Sequence, residues 1–298
     1  GKIMKMQGTI KATGSCGELV QGVIEDQNFL VSCPINMYNT VKVELKDDYK
    51  GIDVNINAPK TMKAVRKTLN YFHKTNLGAR INIGRDLPIG KGMASSTADI
   101  TAAIAGVMAA LDYPLDYEII KKIALKIEPT DGTFLPGLHL FDHINGKIQK
   151  YLGEATDLDI LIFAEKGKIN SVNFNQRQDI KSLKYSKEQL VSQALKSIKS
   201  GIKKNDPQLL GRGATLSSIA HQKVLYKKGL EDIIKMITKK DKVFGINIAH
   251  SGTVMGILID RDYKSKKLVP TISAEFPQLK FISRNSMISG GLQEIGKE

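Results

Sequence analysis

The 298-residue sequence predicts an α+β fold in which helices and strands are mixed and two α/β domains follow one another. Three observations carry this expectation. Segments of strand-type alternation and of helix-type periodicity succeed each other along the whole chain, which selects an α+β or α/β architecture. Residues 166–186 break that pattern, being rich in Lys, Asn, Gln and Ser with little periodicity, so the domains are drawn as 1–165 and 166–298. A hydrophobic content of 42% is enough for packed cores.

Taken in order, Thr9 to Thr13 reads as a short strand leading into a compact loop built on Gly14, Gly17 and Gly22. Phe29 to Cys33 is an apolar strand that Pro34 closes. Tyr38 to Leu45 places Val41, Val43 and Leu45 on one face, a half-buried strand. Ile52, Val54 and Ile56 repeat the alternation and are expected to form a hairpin with it. Pro59 opens a helix over Thr61 to Lys74 with Met62, Val65, Leu69 and Phe72 as its stripe. Ala79 to Ile83 reads as a strand.

Next comes the stretch on which the functional reading turns: Pro88, Ile89, Gly90, Lys91, Gly92, Met93, Ala94, Ser95, Ser96, Thr97 and Ala98. Ile100, Ile104, Val107, Met108 and Leu111 then recur at helical spacing, and Ala98, Ala102, Ala105 and Ala109 give a second, small-residue face. The context is strand, glycine-rich loop, helix. A helix N-terminus offers unpaired N–H groups and the positive end of its dipole, so a glycine-rich loop feeding it is suited to hold phosphate. It is not a Walker A loop, because Lys91 precedes Gly92 and the hydroxyls come later. It is not the dinucleotide fingerprint either, because position 95 is Ser. On spacing alone, a glycine turn before a buried helix remains an open alternative.

A second helix is expected from Asp116 to Ile127. Leu138 to Phe141, Lys147 to Leu152 and Leu158 to Ala164 read as strands, the last so continuously apolar that it belongs inside a sheet. Helices follow over Lys187 to Lys203, from Asp206-Pro207 towards His221, and over Leu230 to Ile237. Val243 to Ala249 and Val254 to Ile259 are strands. A helix from Tyr263 to Phe276 and a strand from Leu279 to Ser283 end the pattern.

Composition excludes several function classes. There is no stretch of 18 apolar residues, so no membrane-spanning helix is expected, and residues 1–7 lack the apolar segment of a signal peptide. With two cysteines, Cys16 and Cys33, the chain reads as cytoplasmic with free thiols, Cys16 being structural. The net charge of +14 invites nucleic acid, but the lysines are dispersed, Trp is absent and no basic arm or aromatic stripe occurs. His73, His139, His143 and His221 lack metal-ligand spacing, so no zinc site is expected.

Pro88 to Ala98 follows P-x-x-x-G-x-x-S-S-[ST]-A and resembles the ATP-binding motif of the GHMP kinases. Gly14-Ser15-Cys16-Gly17-Glu18-Leu19-Val20-Gln21-Gly22 resembles that family's first motif, in the form of its L-threonine kinase subgroup of cobalamin biosynthesis. Glu128-Pro129-Thr130-Asp131-Gly132 matches the same subgroup. So does Gly245-Ile246-Asn247-Ile248-Ala249-His250-Ser251-Gly252-Thr253-Val254-Met255-Gly256, which resembles the third motif. One departure is Thr13, where the subgroup has Pro.

The resemblance implies an N-terminal domain like ribosomal protein S5 domain 2 and a ferredoxin-like C-terminal domain. It implies ATP and Mg²⁺ as cofactors and L-threonine as the small-molecule partner, with neither nucleic acid nor membrane. Residues 88–98 would bind ATP, Ser96 and Glu128 would hold Mg²⁺, and Asp131 with Glu128 would be catalytic, Asp131 as the base for the acceptor hydroxyl. Glu18, Gln21, His250, Ser251 and Gly252 would line the substrate side or close over the phosphates. The residues themselves leave other roles open: Asp131 as the cap of an Asp-Gly turn, Glu128 as a surface carboxylate ending a helix, Lys91 as a solvated loop lysine, His250 as a structural strand end. Another small alcohol such as homoserine, or a nucleotide-binding sensor without turnover, are the alternative functions.

Overall fold

A computed structural model describes residues 6–166, 177–180 and 187–296. The unpatterned stretch 166–186 therefore lies mostly outside the described residues. One eleven-stranded sheet organises the rest. At its centre are two long antiparallel strands, β1 (Gln7–Ile24) and β2 (Gln27–Lys46). They are joined by a tight turn whose Glu25 and Asp26 both have positive φ, 49° and 64°, the twist that suits a two-residue hairpin.

Both strands depart from the sequence expectation. β1 does not stop at Thr13, and the glycine-rich motif that follows is not a compact loop. It is strand, with register shifts between Thr13/Gly14, Ser15/Glu18 and Glu18/Val20. The glycines are absorbed as bulges, which re-aim side chains without ending the pairing. β2 likewise runs through Pro34, which sits opposite Ser15 between the first two of these irregularities, a place where the missing N–H of proline is tolerated.

β3 (Ile52–Val54) does not form a hairpin with β2. It pairs in parallel with β4 (Gly78–Arg85), which itself takes the edge of β2 from Asn39↔Arg85 to Lys46↔Gly78. The connection is helix α1 (Pro59–Tyr71), the crossover that a parallel pair requires. Helix α2 (Ser95–Ala110) packs across β1 and β2 and touches α1 and α3 (Tyr117–Leu125). Its residues are buried on every side except Ser96, as befits a helix apolar all round. Asp116 caps α3 by accepting from the N–H groups of Glu118 and Ile119.

A 3-10 turn, Gly132–Phe134, leads to the hairpin β5 (Leu138–Phe141) and β6 (Gln149–Gly153). β7 (Asp159–Glu165) then inserts between the later strands β9 (Val254–Ile259) and β10 (Leu279–Ser286). Its unbroken apolar run has a simple cause: Ile160 and Ile162 enter the large core, while Leu161 and Phe163 enter a second core on the opposite face. Helices α4 (Glu188–Lys204) and α5 (Pro207–His221) cover the first face, with Asp206 capping α5. α6 (Leu230–Thr238) and α7 (Leu268–Glu275) belong to the second. α7 is shorter than expected. Residues 264–267 are Lys, Ser, Lys and Lys, which give the expected helix no apolar stripe there. β8 (Val243–Ile248) joins this half of the sheet to β1 at Glu18↔Ile248. A last short strand, β11 (Leu292–Ile295), pairs with β1 and was not expected from the sequence.

Candidate active site

The loop between β4 and α2 is shaped by three positive-φ residues, Gly90 at 72°, Gly92 at 86° and Ala94 at 59°. Asn39, buried on β2, ties it down. Its Oδ1 accepts from the Leu87 N–H at 3.1 Å, and its Nδ2 donates to Ser95 Oγ at 3.1 Å and to Asp99 Oδ1 at 2.9 Å. Ser95 Oγ in turn donates to the Leu87 carbonyl, and Asp99 is paired with Arg85 at 2.7 Å. No side chain caps α2, and Ala94 precedes it. The first-turn amides therefore keep the anion-binding character of an uncapped helix start. Residues Gly92 to Thr97 line a cleft there.

The three hydroxyls of the loop have three destinations. Ser95 serves the loop itself. Ser96 Oγ donates to Glu128 Oε1, and Thr97 Oγ1 reaches Asp131, donating to Oδ2 at 3.5 Å and accepting from the Asp131 N–H at 3.2 Å. The turn after α3 thus hangs on the first turn of α2 through consecutive hydroxyls. Burial, and then the charge of Glu128, raise the Asp131 carboxyl to about 6. The other oxygen of Glu128 is in an ion pair with Lys60, which stands in the first turn of α1.

The remaining two motifs meet this loop through backbone. Ser15 N–H donates to the Met93 carbonyl at 3.0 Å and Gly17 N–H to that of Gly92 at 3.2 Å. Thr253 and Val254 N–H both donate to the Lys91 carbonyl, at 2.9 and 2.8 Å. Gly252 lies so close that a Cβ there would fall 2.3 Å from Gly92 N. Glu18, His250 and Ser251 line the same cleft as Gly92 to Thr97, Glu128 and Asp131. The stretches expected from sequence to act together are brought together.

Four of the expected residues are not in the cleft wall. Lys91 turns its ammonium to the Glu165 carbonyl at 3.0 Å. Ala98 is packed within α2, Gly252 is a backbone spacer, and Gln21 stands behind His250, its Oε1 2.7 Å from His250 Nδ1. Cys16 is a buried free thiol whose pKa burial pushes far up, in keeping with a structural role.

Among the described residues no group of three or more His, Cys, Asp or Glu side chains is placed to hold a metal. Ser96 and Glu128 fit a smaller task. Two hard oxygen donors at the cleft, already in contact, suit a Mg²⁺ that brings phosphate and water as its other ligands. Lys60 shows that a cation is accepted on Glu128.

The chain is 31% identical over 289 residues to a protein of Salmonella typhimurium named L-threonine kinase, a match covering 94% of this chain and 93% of that one. A protein of the same name from Citrobacter freundii is 32% identical over 251 residues, covering 83% and 85%. Residues 59–140 match the family described as GHMP kinases N terminal domain. The chain belongs to the GHMP kinase family. As a GHMP kinase it is a phosphotransferase acting on a hydroxyl group, in a family that uses ATP. The fold agrees: the crystal structure of homoserine kinase from Cytophaga hutchinsonii superposes with a TM-score of 0.70 at 15% identity, covering 99% of both chains. No helix among the described residues of this GHMP kinase is long and apolar enough to cross a membrane.

Sequence reasoning missed Lys60, the cation paired with Glu128, and His143, which lines the cleft of this kinase. Lys60 carried a signal: a lysine in the first turn of a helix opposes the dipole, so another partner has to hold it. His143 carried none. It reaches the cleft because the chain doubles back, its carbonyl accepting from Thr130 N–H at 2.9 Å, and its ring stands 4.8 Å from that of His250.

Proposed function

We propose that this kinase transfers the γ-phosphoryl group of ATP to the side-chain hydroxyl of L-threonine, giving O-phospho-L-threonine and ADP. The carrying observation is the pair of adjacent hydroxyl–carboxylate contacts, Ser96 to Glu128 and Thr97 to Asp131, at the uncapped start of α2. Phosphoryl transfer asks a protein mainly for placement and electrostatics. The backbone amides of the loop from Gly90 to Ser96 hold the triphosphate. Ser96 and Glu128 would hold Mg²⁺, which would supply countercharge to the phosphate oxygens. Asp131 faces the acceptor, takes the proton of its hydroxyl as the new O–P bond forms, and is held in place by Thr97.

His250 and Ser251 close the acceptor side, with Gln21 fixing the His250 ring. Residues 1–165 supply most of these groups and residues 166–298 supply the third motif. The acceptor assignment draws on the subgroup form of the motifs and on the two similar L-threonine kinases. In this reading the product feeds the aminopropanol linker of cobalamin, which the subgroup form of the motifs supports, and the reaction is cytoplasmic, in keeping with the two free cysteines.

A panel of L-threonine, L-homoserine, L-serine and mevalonate, each with Mg-ATP, tests this. L-Threonine leads in kcat/KM, with the other acceptors at least about tenfold lower. A panel headed by another alcohol overturns the acceptor.

A further inference from the structure

The Glu18 carboxyl has no counter-charge beside it. It stands in the cleft wall, 5% exposed, and its Oε2 makes no hydrogen bond. Among the described residues no lysine, arginine or histidine is ion-paired with it. Ser32, opposite it in the β1–β2 ladder, is near enough to favour the charged carboxylate slightly, but neither Ser32 Oγ nor Glu18 Oε2 makes a hydrogen bond of ordinary geometry. A carboxyl withdrawn from water without a partner is costly, and buried polar groups in folded proteins are normally satisfied. The position is built rather than incidental. The strand is irregular on both sides of Glu18, and Gly17 takes φ +54° where a Cβ would strike the Ile248 backbone at 2.5 Å. The bulge aims the carboxyl into the cleft at the cost of leaving it unsatisfied.

Glu18 also feels Asp131. Burial first, and the Asp131 charge second, raise its pKa well above the ordinary carboxylate range. Both acids line the same cleft. In a β-hydroxy-α-amino acid the hydroxyl and the ammonium sit on neighbouring carbons. With the hydroxyl delivered to Asp131, the ammonium lies one carbon away, inside the cleft that Glu18 also lines.

We infer that Glu18 is the ammonium subsite of the acceptor pocket, so that the enzyme selects zwitterionic amino alcohols over neutral or purely anionic alcohols of the same shape. The inference rests on the amino-acid reading of the acceptor above. The ammonium supplies the hydrogen bonds that Oε2 lacks and compensates both acids. An acceptor without nitrogen leaves Glu18 buried and alone. The chemistry recognised is the α-ammonium group, so L-homoserine shares this contact; what separates it from L-threonine lies elsewhere in the pocket.

The test compares L-threonine with 3-hydroxybutyrate, which keeps the carboxylate and hydroxyl but lacks the amine, on the wild type and on Glu18→Gln and Glu18→Asp. The wild type favours L-threonine by about 100-fold or more in kcat/KM, the scale of a desolvated charge-assisted contact. Glu18→Gln raises KM for L-threonine about 10- to 100-fold and shrinks the preference to within about threefold, while the affinity for an ATP analogue stays unchanged. Glu18→Asp, which keeps the charge, lies between. Should Glu18→Gln not fold, the wild-type preference and Glu18→Asp still decide. A preference that Glu18→Gln preserves, or a wild type indifferent to the amine, overturns the inference alone. No turnover of L-threonine by the wild type overturns the acceptor reading and this inference together.

Discussion

At the scale of single residues the account turns on Asp131. A base must be deprotonated to accept, so kcat/KM should climb about tenfold per pH unit below about 6 and level off above it. Asp131→Asn should lower kcat by roughly 10²–10⁴. The same residue bears on stability, and in the opposite sense. Its folded pKa of about 6 lies above that of an unfolded carboxyl, so the folded state holds the proton more tightly. That contribution is fully present below about pH 4 and is lost as pH rises through about 6. Asp131→Asn should therefore be more stable than the wild type at pH 7.5, by about 1–3 kcal/mol, with the difference fading towards pH 4. Thermal unfolding of both proteins across that range reads it; a variant less stable at neutral pH would count against the half-buried, charged base. Much of this residue chemistry was legible in sequence because the motif residues are adjacent: Glu128 and Asp131 lie three apart, and Ser96 and Thr97 side by side. Lys60 and His143 were not, since an ion pair across 68 residues and a ring contact across two hairpins leave no local pattern.

At the scale of elements, the periodic ones were readable and the interrupted ones were not. α2 follows its apolar run, α3 and α5 their apolar positions and the Asp116 and Asp206 caps, and β7 its apolar run. β1 and β2 defeated local reading because Gly14, Gly17 and Pro34 ordinarily punctuate a chain. Here the long ladder between the two strands outweighs them through bulges. β3 was paired with the wrong strand because alternation tells which face is buried, not which neighbour is chosen. The element contact that matters most for function is loop on loop, where the third motif rests on the loop before α2. Gly252→Ala would place a methyl against the Gly92 backbone, which cannot move aside as a side chain could. Overpacking of this kind costs roughly 1–3 kcal/mol. The expected result is a lower Tm and a nucleotide affinity weakened about tenfold. Gly84→Ala, whose nearest neighbour would be Thr40 O at 3.9 Å, is the control that should leave both unchanged. Equal behaviour of the two variants would mean that the third motif does not brace the loop.

At the scale of the whole molecule, two glycine-containing stretches from opposite ends of the chain converge on the carbonyls of Lys91, Gly92 and Met93 in a third. Such convergence is invisible to periodicity, which reports on faces and not on distant partners; the motif resemblance supplied it, because residues that serve one phosphate must lie together. The sheet makes the meeting possible, with β1 bonded to β2 on one side and to β8 on the other. The central claim is that this meeting point moves a phosphoryl group from ATP to an amino-acid hydroxyl, with Glu128 for the metal and Asp131 as the base. The most direct test is to follow ³¹P resonances of Mg-ATP and L-threonine with the wild type and with Glu128→Gln. The account predicts a phosphothreonine signal growing in step with ADP in the wild type and at least about 100-fold more slowly in the variant. ADP formed without phosphothreonine, or equal rates in the two proteins, would contradict it.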